Sequence, residues 1–236
     1  MGVNYNPKIV TNGLVLCLDA ANHRSYPRAG TTWYDLSGNE NNGTLTNGPT
    51  FGEANGGSIV FDGSNDYCPT SNLYHQSDSF TIELCLKLKQ NLDGVSGFRG
   101  IFSNISGTSG YQLFWRSGTV TQYNYFYFYR TQILMNTTTG STFNSGQFLY
   151  FSVVYNYDSP LKSTIYINGE DKTEFRSSVG SNSNSSLPLT IGGPRADQTS
   201  QYFLNCNFFF LRFYNRPLAV NEVHQNYNAT RGRYGI

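Results

Sequence analysis

Apolar and polar residues alternate along most of this chain with a period of two, the spacing of a strand that buries one face. "LVLCLDA" puts Leu14, Leu16 and Leu18 on one face, and "SFTIELCLKLK" sets Phe80, Ile82, Leu84, Leu86 and Leu88 against Thr81, Glu83, Cys85, Lys87 and Lys89. Further short strands are predicted in "SIVFDG", "GIFSN", "GYQLFW", "QYNYFYFYR", "QFLYFSVVYN", "STIYINGEDKTEF", "LPLTIGG" and "NFFFLRFYN". Asn168-Gly169 predicts a type I′ hairpin turn. One segment reads as helix, "RPLAVNEVHQNYNATRG": Pro217 suits its start, Gly232 suits its end, and Leu218, Val223 and Tyr227 fall near helical spacing. Many short strands and one late helix predict an all-β, two-sheet antiparallel sandwich. The pattern runs without a boundary or a repeat, so one domain is expected over residues 8–236 behind a short arm at 1–7.

Composition agrees with that class. Only 13% of the 236 residues are charged, against roughly 25% in an ordinary soluble domain, and 16% are aromatic. The polarity comes from Asn, Ser, Thr and Gly, which suit turns between strands. A net charge of +1 leaves no basic field to attract nucleic acid or an anionic membrane. No stretch approaches the roughly 20 apolar residues of a membrane span. "MGVNYNPKIVTNG" lacks the apolar region of a signal peptide, so synthesis in a cytoplasm is expected. Cys17, Cys68, Cys85 and Cys206 have no metal-ligand spacing and are expected to be buried free thiols.

Two segments stand out. If "QYNYFYFYR" is one strand, Tyr123, Tyr125, Tyr127 and Tyr129 line one face and Phe126 and Phe128 the other. Such a tyrosine face has three readings: an amphipathic surface, a subunit contact, or a platform on which sugar rings stack, with Trp115 of the preceding strand nearby. In "NFFFLRFYN", Phe209, Leu211 and Phe213 fit core-facing positions, which sends Phe208 and Phe210 to the opposite face. Neighbouring aromatics there imply either a covering segment or a partner.

The ordered set "GLVLCLDAANHRSYP", "TTWYDLSGNENNGTLTNGP", "GGSIVFDGSNDY", "SFTIELCLKL", "TIYINGE", "LTIGG" and "LRFYNRPLAVNEVHQNYNATRGRYG" resembles LamG-like, concanavalin A-like jelly-roll domains, above all those in virion proteins of tailed bacteriophages. The resemblance spans about residues 8 to 235. It implies a connecting loop over Asp35–Pro49, with Gly38, Gly43 and Gly48 turning the chain at positive φ. Some members bind calcium, and Asp35, Asn39, Asp62 and Asp66 are the oxygen donors nominated for it; the alternative is that they hold turns. No other cofactor is expected. The sequence departs from the family in carrying Cys85 where a Trp is common, Ala219 where Ser or Thr caps the last helix, and aromatics on both faces of "NFFFLRFYN". Glycosidases on this fold use carboxylates two or three residues apart on one strand, and no such array exists here. Glu83 stands alone, and Glu170, Asp171 and Glu174 follow a hairpin turn. A non-enzymatic role is therefore expected. The resemblance implies a virion structural protein, a capsid decoration, head fibre or tail module, docking on capsid proteins or on its own copies through Phe208, Phe210, Tyr125 and Tyr127. The alternative is a glycan-binding module that uses Tyr123, Tyr125, Tyr127, Tyr129 and Trp115.

Overall fold

Period-two alternation becomes strand wherever a second sheet can cover the apolar side. The computed structural model describes residues 8–71, 79–92, 97–106, 109–117, 124–130, 132–137, 143–176, 185–193 and 202–236. The expected arm at 1–7 lies outside them. In chain order the strands are β1 (Leu14–Asp19), β2 (Thr32–Trp33), β3 (Gly43–Thr44), β4 (Thr50–Gly52), β5 (Ser58–Asp62), β6 (Cys68–Pro69), β7 (Phe80–Leu88), β8 (Phe98–Ser103) and β9 (Gln112–Ser117). They continue with β10 (Asn124–Arg130), β11 (Gln132–Thr137), β12 (Phe148–Tyr155), β13 (Thr164–Ile167), β14 (Glu170–Asp171), β15 (Thr173–Arg176), β16 (Thr190–Ile191) and β17 (Asn205–Tyr214), before helix α1 (Val220–Thr230).

Two antiparallel sheets result. One runs β14-β13-β12-β7-β17-β5-β4, with β1 also pairing β17; the other runs β15-β11-β10-β9-β8-β16-β6. Between them lies the core. Phe80, Ile82, Leu84, Leu86 and Leu88 of β7 face Leu113, Trp115, Phe126, Phe128 and Met135 of the second sheet within one buried cluster. The predicted sandwich is thus observed, as is the Asn168-Gly169 turn, whose φ values are both positive (52° and 82°). A Cβ on Gly169 would also lie 2.7 Å from the Tyr227 ring, so α1 packs on this turn at a distance that excludes a side chain. All four cysteines are free and buried.

Much of the outer face of the eight-stranded sheet is closed to solvent. Helix α1 and the residues after it lie across it, burying Glu83, Cys85, Tyr150, Phe210, Arg212 and Tyr214. Glu83 accepts hydrogen bonds from Ser152 Oγ (3.2 Å) and Asn226 Nδ2 (2.9 Å), and its Oε2 lies 3.7 Å from Arg212 Nη1. Arg212 donates to Thr230 Oγ1 and stacks over the Phe210 ring at 4.2 Å. Asn226 also accepts the Val10 N–H at 2.7 Å, which ties the start of the described chain to the helix. The helix has no side-chain cap at Ala219, as the sequence implied. Glu222 accepts the Ala219 N–H instead, and Arg216 clamps Glu222 through both carboxylate oxygens (2.7 and 2.6 Å).

Two register details correct the sequence reading. A bulge between Leu14 and Leu16 turns Leu14 away from the core toward Val10 and Tyr214, so the three leucines do not share a face. A second bulge falls between Phe208 and Phe210 of β17. One extra residue inverts the alternation. Phe208 therefore packs inside against Trp33 and Phe61, while Phe209 and Phe210 face outward under Tyr234. Phe209 was expected in the core and Phe208 outside it, and both positions are reversed. Phe210 points outward as expected, but the covering segment is the C-terminal tail, itself anchored by Arg233 to both Asp19 oxygens (2.9 and 3.0 Å).

Burial pushes the Glu83 carboxyl up to about 7, against the pull of Arg212. A folded-state value above the unfolded one means that this group favours folding fully below the ordinary carboxylate range and loses that contribution as pH rises through about 7. Urea unfolding at pH 5 and pH 8 is expected to show the wild type losing on the order of 1–2 kcal/mol relative to Glu83→Gln across that interval. Parallel profiles for the two proteins would refute this.

Candidate functional site

Asp35 organises the Asn- and Gly-rich loop. Its Oδ1 accepts the N–H groups of Cys17 and Ser37 (both 2.8 Å), and its Oδ2 accepts Ser37 Oγ (2.7 Å) and the Asn41 N–H (3.1 Å). Asn39 and Asn41 donate their side-chain amides to the Val15 carbonyl (3.3 and 2.9 Å). The loop therefore supplies hydrogen-bond partners along the edge of β1 that β17 leaves open. Gly38 and Gly48 have positive φ, but Gly43 does not. Gly43 is needed for space instead, since a Cβ there would lie 2.6 Å from Cys68 Sγ.

Asp62 and Asp66 serve a second turn. Asp62 Oδ1 accepts the Ser64 N–H (2.7 Å), and Asp66 Oδ2 accepts the Asp62 N–H (3.0 Å). Burial raises the pKa of Asp66. Among the described residues no group of three or more His, Cys, Asp or Glu side chains is placed to hold a metal. Asp35 and Asn39 thus serve one loop, and Asp62 and Asp66 the other.

The open surface lies on the other sheet. Phe126 and Phe128 of β10 enter the core and Tyr127 faces outward, as the alternation predicted. Tyr123 lies outside the described residues, as do the side chains of Tyr125 and Tyr129. Trp115 is fully buried and cannot form part of a sugar platform; its neighbour Phe114 takes the outward position but is itself only 5% exposed, covered by the rings around it. Phe114 stacks on Tyr127 with centroids 5.4 Å apart and planes 12° from parallel. Phe98 of β8 packs on Phe114 at 5.4 Å, and the exposed Arg116 lies over the Phe98 ring at 4.9 Å. Across the sheet, Tyr127 is in register with Asn136, and Asn136 with Phe175, whose side chain is 48% exposed. Partial burial raises the pKa of Tyr127, with Arg116 opposing the shift. The result is a shallow aromatic face with a guanidinium at its rim. It can stack on flat apolar surfaces and donate hydrogen bonds.

Glu170 pairs with Lys172 and Asp171 with Arg176, while Glu83 is sealed beneath α1. No helix among the described residues is long and apolar enough to cross a membrane.

Residues 62–224 match the family model described as Concanavalin A-like lectin/glucanases superfamily. None of the curated proteins matches the chain. Among solved structures, the binding domain of Paraclostridial Mosquitocidal Protein 1 superposes with a TM-score of 0.70 at 15% identity, covering 93% of this chain and 52% of that one. Trypanosoma rangeli sialidase in complex with sialic acid gives 0.62 at 12% identity, covering 92% of this chain and 33% of the sialidase. Domain 4 of AbnA, a GH43 extracellular arabinanase from Geobacillus stearothermophilus solved with arabinotriose, gives 0.63 at 15% identity, covering 92% and 98%. The chain thus spans about half of the first of these structures and a third of the second. At such identities the likeness is one of fold.

Replacing Asp35 by Ala is expected to cost about 1–3 kcal/mol of stability, because several backbone donors lose one acceptor. The melting temperature is expected to be the same in excess calcium as in EDTA. A calcium-dependent rise would show a cation bound where the loops are now read as self-sufficient.

Proposed function

We propose a function from one premise: the chain belongs to the concanavalin A-like lectin/glucanases superfamily. It is a lectin-like module that acts by binding a glycan and not by catalysis. The observation that carries this reading is the half-buried Tyr127, backed by the covered Phe114 ring and set beside the half-buried Phe98 and the exposed Arg116. Pyranose and furanose rings present flat C–H faces to aromatic side chains, and a guanidinium supplies several donors to ring hydroxyls. A shallow, open face of this kind fits a segment of a polysaccharide chain better than an enclosed monosaccharide. The solved complex of domain 4 of AbnA with arabinotriose supports the reading by analogy of fold.

The expectation that the protein docks on a virion through Phe208 and Phe210 loses both residues, because each is buried within its own chain. Display on a virion as an adhesin is the finer form of the present reading, and the presence of the protein in purified particles is its test.

A panel of soluble oligosaccharides that includes arabinotriose is expected to give at least one saturable ligand near millimolar affinity, about −4 kcal/mol. Tyr127→Ala and Arg116→Ala should each weaken it about tenfold while the melting curve keeps its cooperative shape. Unchanged affinity in both variants would exclude this face, and silence across the panel would remove the glycan reading.

A further inference from the structure

A cleft of about 380 Å³ opens on the outer face of the eight-stranded sheet, beside the C-terminal tail. Its lining includes Asn55, Lys87, Lys89, Ser145, Asn207 and Phe209. That volume falls at the lower end of the roughly 300–1,000 Å³ typical of small-molecule sites. Lys87 and Lys89 lie two residues apart on β7 and its extension, so they rise from the same face about 7 Å apart. The Lys87 ammonium rests 4.8 Å from the Phe148 ring centroid, and neither lysine has a carboxylate partner among the described residues. None of the described residues lining the cleft is acidic. Two like charges held on one wall, with no described carboxylate paired to either, generate a positive potential inside a concave surface, where it is screened less than on an open one.

The walls are fixed in advance. Asn207 stands opposite Lys87 in the β7–β17 register, and its Nδ2 donates to Ser58 Oγ at 2.9 Å. Asn55, in a left-handed conformation (φ 55°), donates to the Arg233 carbonyl at 3.3 Å. The Ser145 N–H donates to Asn91 Oδ1 at 2.7 Å, and the Gly146 N–H to the Leu88 carbonyl at 2.8 Å. A preformed cleft loses less entropy on binding than one that must be assembled.

We propose that this cleft is a binding site for the oxyanion group of a small ligand, the carboxylate of an acidic sugar or a phosphate group, held between Lys87 and Lys89. The site is on the opposite sheet from the aromatic face and does not depend on the glycan reading of that face.

The test titrates the whole protein at low ionic strength with sodium glucuronate, with inorganic phosphate and with methyl glucoside as the neutral control, following backbone amide shifts by NMR. Saturable shifts at Ser145, Gly146 and Asn207 are expected with at least one anion at or below about 10 mM, and none with the neutral sugar. The Lys87→Gln/Lys89→Gln variant should lose about tenfold in affinity or more, and added salt should weaken the wild type in the same direction. Tighter glucuronate binding identifies an acidic sugar and tighter phosphate binding a phosphate group; either supports the site. No saturation with either anion, or equal affinity in the folded double variant, overturns it. Tyr127→Ala should leave anion binding unchanged, which keeps failure here distinct from failure of the glycan reading.

Discussion

Glu83 and Arg212 form a charge pair with almost no access to water, and much of the molecule's back is arranged around that constraint. Removing one partner of such a buried pair typically costs about 3–5 kcal/mol, because the group left behind has lost both water and its partner. Their remaining hydrogen-bond capacity is met by Ser152, Asn226 and Thr230, and two of these come from α1. The helix is therefore a polar lid as much as an apolar one. Asn226 at its centre reaches the carboxylate, the Tyr214 hydroxyl and the backbone of Val10 at once. A helix without a side-chain cap at Ala219 holds its position because its buried face is specified by this network and its first turn by the Arg216–Glu222 clamp.

The constraint divides the two sheets by task. The eight-stranded sheet is roofed, and its aromatics Tyr150, Phe209 and Phe210 are covered by Tyr227 and Tyr234. Beyond that roof it presents an open cleft. Among the described residues no α-helix covers the seven-stranded sheet, and its outward aromatics pack on one another, on Tyr202 and on Arg116. The half-buried rings Tyr127 and Phe98 thus sit on a support made rigid by a core of interlocking rings.

The sequence made the strands, the sandwich, the late helix and the inward–outward parity of Phe126, Tyr127 and Phe128 legible, because each depends on local periodicity. Three features were not. The bulge at Phe209 adds one residue in a run of three identical side chains, where nothing local marks the break in parity. Phe114 and Trp115 are adjacent and both aromatic. Which of them faces out is decided by pairing with β8 and β10, strands reached through loops whose length gives no register. Glu83 reads as a solvent-facing residue because its partners, Arg212 and Asn226, lie far along the chain and meet it only when the helix folds back. The Asn-rich loop was half legible: its turns were expected, but not the role of Asp35 in closing the edge of β1.

The helix network also governs how the domain would bear tension. The Val10 N–H is held by Asn226, the Lys8 carbonyl accepts from Gln225, and Arg233 near the other end is held by Asp19 of β1. Both ends of the described chain are therefore fastened to the roof and the strand beside it, not to the aromatic face. A pull transmitted through them would first peel α1 and its tail, one contact after another, while the opposite sheet kept its shape. A ligand on that sheet would be shielded from the load until the roof had gone.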